Sequence, residues 1–141
     1  MPPFNTSREI PAPREQIFAA FSDPERLARW WGPAGFTNTF SLCEFTTGGR
    51  WVFVMHGPDG RNYKNESRFA EVETPGRVVI QHVSEPRYLL TILLAPSAAG
   101  TVVSWSQAFE SDLAASRLAP IVVPANEQNL DRLAAEVLRP R

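Results

Sequence analysis

From about residue 38 to residue 109, apolar and polar side chains alternate with a period of two. Turn-forming clusters interrupt this pattern at Thr47-Gly48-Gly49, Gly57-Pro58-Asp59-Gly60, Thr74-Pro75-Gly76, Ser84-Glu85-Pro86 and Pro96-Ser97-Ala98-Ala99-Gly100. Six runs result, roughly 38–45, 50–56, 62–73, 77–83, 87–95 and 101–109. Connections this short oblige neighbouring runs to pair antiparallel, since a parallel pair needs a long crossover. Trp51, Phe53 and Met55 share one face of the second run. Phe40 and Leu42 do so in the first, and Val103, Trp105, Gln107 and Phe109 in the last. These faces are expected to line a concave side. Phe69 and Val72 differ in parity, so both turn inward only across a β-bulge near Ala70-Glu71, a device that also bends a strand.

Outside this block the period changes. Residues 5–11 read as a first strand that Pro11 and Pro13 close. Pro13 suits the first position of a helix, where its missing N–H is not needed, and Ile17, Phe18 and Phe21 follow at helical spacing. A second helix begins at Asp23-Pro24-Glu25, with Asp23 as N-cap. It carries Leu27, Trp30 and Trp31 on one face and stops at Gly32-Pro33. Near the end of the chain, Pro120 and Pro124 are not expected inside a straight helix. Residues 111–119 therefore read as a separate turn or short helix, and the main helix as starting at Pro124. Leu130, Leu133, Ala134, Val137 and Leu138 then form an apolar stripe, with Glu127, Asp131, Arg132 and Glu136 on the wet side. The pattern predicts an α+β chain: a curved antiparallel sheet wrapped around a C-terminal helix.

Composition narrows the function. A chain of 141 residues suits one domain, read here as 1–141, with enough core to need no staples. Lys plus Arg number 14 against 15 Asp plus Glu, which gives no basis for attracting nucleic acid or an anionic membrane. Cys43 is the single cysteine, as fits a reducing compartment. The segment from Met1 to Arg8 lacks the regions of a secretion signal, and no run approaches the ~18 apolar residues of a membrane span. The cytoplasm is the expected location.

The inward face is rich in rings, and ligand pockets are lined mainly by apolar and aromatic groups, although the same inventory would also fill a dry core. Candidates for chemistry are sparse. His82 shares a face with Val78 and Ile80 and, with Tyr63, is a weak candidate for acid–base work; a hydrogen-bonded structural histidine is the commoner case. His56 has the outward parity of a surface histidine. Cys43, His56 and His82 make no metal-ligand spacing, so no metal is expected. No nucleophile elbow and no phosphate loop appear, so neither an enzyme nor a cofactor is marked. Tyr63, Asn65, Ser67 and Gln107 have inward parity and would orient a ligand or satisfy one another. Val52, Val54 and the leucines from Leu89 to Leu94 make outer faces apolar, so a homodimer is an expectation beside simple cover by the short helices.

Several words along the chain resemble one family: Arg8-Glu9-Ile10-Pro11-Ala12-Pro13, Asp23-Pro24-Glu25-Arg26-Leu27 and Arg29-Trp30-Trp31-Gly32-Pro33. Gly48-Gly49-Arg50-Trp51, Met55-His56-Gly57-Pro58-Asp59-Gly60 and Asn129-Leu130-Asp131-Arg132-Leu133 complete the set. The chain resembles the activator of heat-shock-protein ATPase homologue-like group, within the START-like, polyketide-cyclase-like superfamily of helix-grip folds. The resemblance runs from residue 7 to 138 and implies a β-α-α-β6-α topology with a pocket between the sheet and the last helix. Superfamily members bind apolar molecules and some are enzymes, whereas fold alone does not fix activity. The family name comes from a chaperone cofactor in which this fold is one of two domains, so a chaperone partner is not expected here.

The expectation is therefore a binder of a small apolar or aromatic molecule. Its walls would be Trp31, Phe36, Phe40, Trp51, Phe53, Met55, Phe69, Trp105 and Leu133, and its polar handles Tyr63 and Gln107. The alternatives are a cyclase, dehydratase or hydrolase using the same cavity through His82 or Tyr63, and a stress-related interaction module.

Overall fold

The computed structural model describes residues 2–140. Their elements run β1 (Phe4–Ile10), α1 (Arg14–Ser22), α2 (Pro24–Trp30), β2 (Thr37–Cys43), β3 (Arg50–His56), β4 (Asn62–Glu73), β5 (Arg77–His82), β6 (Tyr88–Ser97), β7 (Gly100–Phe109) and α3 (Asp112–Val137). The strands form one antiparallel sheet in the order β1-β7-β6-β5-β4-β3-β2. The meander that the turn signals require is thus present, and β1 completes it beside β7. This is the helix-grip arrangement of an α+β fold, with α3 against the concave face.

The expected bulge in β4 lies between Phe69 and Glu71. It allows both Phe69 and Val72 to pack on the core. A second irregularity between Phe40 and Leu42 corrects the reading of β2. Leu42 comes to face Val52, and Cys43, opposite Trp51, takes the inward place that strict alternation gives to Leu42. A bulge adds one residue and reverses parity beyond it, and nothing in Thr37–Cys43 announces it. Burial pushes the Cys43 thiol up to about 11, so it is not the thiolate that nucleophilic chemistry needs.

Both short helices start as predicted to within a residue. Asp23 caps α2 by accepting from Glu25 N–H at 3.0 Å, whereas Pro13 sits at the N-cap of α1 rather than inside it. The larger correction concerns α3. It is one helix of 26 residues, capped by Ser111, which accepts from Ala114 N–H at 3.2 Å, and it contains both Pro120 and Pro124. The prolines lie one turn apart, so their missing donors fall on one side of the helix. Pro120, Ile121, Val123 and Pro124 are exposed, so water can stand in for those donors.

The apolar stripe of the second half of α3 packs as its spacing requires, with Leu130 and Leu133 fully buried and Val137 nearly so. Each such side chain contributes roughly 1.5–3 kcal/mol on burial. Leu138 ends the stripe in solvent, at the C-cap. Glu136, assigned by pattern to the wet side, is in fact buried. Its carboxylate accepts from Arg26 Nε at 3.1 Å and from Arg29 Nε at 2.9 Å. α2 crosses this side of α3, and its two arginines supply the counter-charge that makes burial tolerable.

Candidate functional site

The geometry starts with the end of α2. A helix leaves its last carbonyls without partners, and here side chains from elsewhere take them up. Asn38 Nδ2 donates to Ala28 O (3.0 Å) and Trp31 O (2.9 Å), and Asn129 Nδ2 donates to Trp30 O (3.1 Å). Arg132 Nη2 donates to Arg29 O at 2.7 Å and to Phe36 O at 2.9 Å. Its Nη1 reaches Trp31 O, Gly32 O and Pro33 O at 3.2, 3.0 and 2.9 Å. Gly32 turns the chain here with φ +100°, a conformation that side chains resist, and a Cβ would meet Met55 Cε at 2.8 Å. The α2–β2 loop is thereby tied to α3, and Trp31 is fixed against the sheet.

Between that loop, the sheet and α3 lies a cavity of ≈ 130 Å³. Trp31, Gly32, Pro33 and Met55 close one end, and Tyr88, Leu90, Trp105 and Gln107 rise from the sheet. Ile121, Val122, Ala125, Asn126 and Asn129 descend from α3. None of these residues is charged. Burial raises the Tyr88 phenol well above its ordinary pKa, so it too stays neutral. Asn126 Nδ2 donates to Gln107 Oε1 at 3.1 Å, an amide pair at the wall. The Trp105 indole N–H is buried and finds no acceptor among the described residues. Such an unmatched donor costs about 1–3 kcal/mol.

Of the predicted walls, the structure brings Trp31, Met55, Trp105 and the handle Gln107 to this cavity. Phe40, Trp51, Phe53 and Phe69 instead pack on one another. Trp51 stacks on Phe53 (centroids 4.3 Å) and Phe69 (5.3 Å) and meets the edges of Trp31 (4.9 Å) and Phe40 (5.4 Å). Offset and edge contacts of this kind are what aromatic rings favour, and they leave a packed core. Leu133 is fully buried in the same core cluster. Phe36 and Tyr63 lean on each other, centroids 6.0 Å apart, with Tyr63 half-exposed and its hydroxyl 3.4 Å from Asp59 Oδ2.

His82 is buried beside the cavity rather than on it. Its Nδ1 lies 2.7 Å from Pro86 O, its Nε2 2.7 Å from Asn65 Oδ1, and its ring stacks on Tyr88 at 4.6 Å. Burial lowers its pKa from the ordinary histidine value. His56 has the outward parity, 2.7 Å from Thr39 Oγ1 and 2.6 Å from Asn62 Oδ1. Among the described residues no group of three or more His, Cys, Asp and Glu could hold a metal ion, and no helix is long and apolar enough to cross a membrane.

Sequence reading missed Tyr88 and Leu90, although the alternation Tyr88, Leu90, Ile92, Leu94 would have found them. It also missed Ile121 and Val122, which the proline rule leaves outside the helix, and Ala125 and Asn126, which lie in the expected helix but off its apolar stripe. Two wider hollows lie away from the concave face. One of ≈ 400 Å³ is charged, among Arg26, Arg29, Glu136 and Arg139, and one of ≈ 410 Å³ lies over Val52 and Val54. The first is the open side of an ion-pair cluster and the second a groove on the outer face.

A family model described as "Activator of Hsp90 ATPase homolog 1-like protein" matches residues 11–137. No match emerges among curated proteins. Among solved structures, one from Arthrobacter aurescens is 26% identical with a TM-score of 0.89, over 98% of this chain and 87% of that one. A structure from Chromobacterium violaceum is 25% identical with a TM-score of 0.84, over 99% of each chain. An AHSA1-like protein from Aeromonas hydrophila shares the fold at 22% identity, with a TM-score of 0.76 over 96% of this chain and 91% of that one.

Proposed function

The chain belongs to the activator of Hsp90 ATPase homolog 1-like family, and from that premise we propose that it holds a small, uncharged, largely apolar molecule between the sheet and α3. The observation that supports this reading is the ≈ 130 Å³ cavity bounded by Trp31, Leu90, Trp105 and the Ile121–Asn129 side of α3. The rest of the concave face is filled by stacked rings. Apolar cavities of about 150 Å³ take up benzene, whereas drug-sized ligands need roughly 300–1,000 Å³. The guest is therefore about one ring in size unless the first half of α3 moves outward. No charged group on the wall would compensate a charged guest for losing water, which favours a neutral one.

Fluorobenzene is a suitable probe. Titrated into the protein and followed by fluorine NMR, it should show saturable exchange. Ala125→Phe, which puts a ring where the cavity lies, should abolish that exchange while leaving the protein folded. Linear, unsaturable uptake by the natural protein, or unchanged binding by a folded Ala125→Phe variant, sinks the reading.

A further inference from the structure

Asn129 of α3 says more about the guest than the apolar walls do. It is 6% exposed and borders the cavity, but neither of the two wider hollows. Its Nδ2 donates to Trp30 O at 3.1 Å. A main-chain carbonyl can only accept, so the amide nitrogen must be the atom that faces Trp30, and the oxygen is left over. That Oδ1 has no partner among the described residues. It is nevertheless not sealed off, as the unpartnered Asn38 Oδ1, Trp51 Nε1, Ser97 Oγ and Trp105 Nε1 are. It keeps surface that water reaches, and the hollow that Asn129 borders is the cavity. The amide pair of Gln107 and Asn126 on the same wall is different. Whichever way those two amides are set, one donor and one acceptor remain free, so the pair does not choose between guests that donate and guests that accept. Asn129 offers an acceptor alone.

Resting on the binding reading above, we infer that the cavity selects neutral rings carrying an O–H or N–H, such as phenols, cyclic alcohols and lactams, and that Asn129 Oδ1 accepts from that group. Without a guest, water serves the oxygen. A hydrocarbon of the same shape displaces that water and leaves the acceptor unmatched, whereas a hydroxyl replaces the bond that is lost. The discrimination therefore comes from the hydrogen bond rather than from size. An ammonium group would also donate to Oδ1, but no carboxylate on the wall would offset its desolvation. The donor is therefore part of a neutral group. Asn129 is a specificity-determining residue in this account, and no chemical step is assigned to it.

Phenol and toluene have nearly the same shape and differ in O–H against CH₃. With carbon-13 labelled protein near neutral pH, where phenol keeps its proton, phenol should move the Asn129 side-chain carbonyl resonance downfield and toluene should not. Asn129→Leu, close in size and without an acceptor, should lower the ratio of phenol to toluene affinity by roughly five- to tenfold. Should that variant fail to fold, the resonance in the natural protein decides alone. If both probes bind with equal effect on that carbonyl, or if the ratio is the same in a folded variant, Asn129 does not read a donor, although the cavity still binds. If neither probe nor fluorobenzene binds saturably, the binding reading fails and this inference fails with it.

Discussion

The two halves of α3 belong to one helix and answer to different physics. In Asn126–Val137 the residues Asn129, Leu130, Leu133, Glu136 and Val137 are buried. The flanks are tied down as well: Thr6 donates to Glu127, Arg8 Nη1 lies 2.6 Å from Asp131 Oδ1, and Gln16 Nε2 donates to Val137 O at 3.2 Å. In Asp112–Ala125 only Ala115 is buried, and Leu113, Ile121 and Val123 are 60%, 64% and 52% exposed. That half also contains both prolines. The lesson is a division of labour along one element: the second half holds the fold together, and the first covers the cavity with little packing of its own to lose.

Substitutions can break this contrast or sharpen it. Leu133→Ala should cost about 3 kcal/mol in urea denaturation, against less than about 0.5 kcal/mol for Ile121→Ala. Equal losses would erase the distinction. Glu136→Gln comes next, at about 2 kcal/mol near neutral pH, because it leaves the buried Arg26 without its charge partner. Arg29 and Arg26 hold the Glu136 carboxyl below its usual pKa, despite burial acting the other way. Its contribution is therefore complete above the ordinary carboxylate range and is lost as pH falls through the lowered value. Stability curves of the natural protein and the Gln variant should accordingly converge below about pH 4, and parallel curves would contradict the assignment. The gentlest change is Pro120→Ala with Pro124→Ala. Restoring two helix donors should slow amide exchange across residues 116–125 by roughly an order of magnitude and leave the second half unaffected. Exchange slowed equally in both halves would mean that the helix opens as one unit.

How much of this was legible in the sequence depended on whether a local rule spoke for the tertiary contact. Period-two alternation and turn chemistry gave the strands from Arg50 to Phe109 nearly to the residue, and the Phe69/Val72 mismatch gave the β4 bulge. In β2 no such mismatch existed, so the parity of Leu42 came out wrong. For Glu136 charge is a poor sign of solvent, because its partners Arg26 and Arg29 lie more than 100 positions away in sequence. The cavity suffered most. Inward orientation marks aromatic residues as candidate walls, but inward rings such as Trp51 and Phe69 satisfy one another first. Part of the actual lining comes from Ile121–Asn129 of α3, and its first residues, Ile121 and Val122, lie where the prolines argue against a helix and tertiary context overrides them.

Among the described residues the guanidinium of Arg132 pairs with no carboxylate; it sits in a cup of five main-chain oxygens drawn from Arg29 to Phe36. It works as a tethered cation, a rivet whose shank is α3 and whose head is seated in the α2–β2 connection. A lysine could supply the charge but not the flat fork that spans both sides of that cup. Helix and connection are accordingly joined at this end, whereas the other end of the helix, where Ile121 meets water, has no such fastening among the described residues.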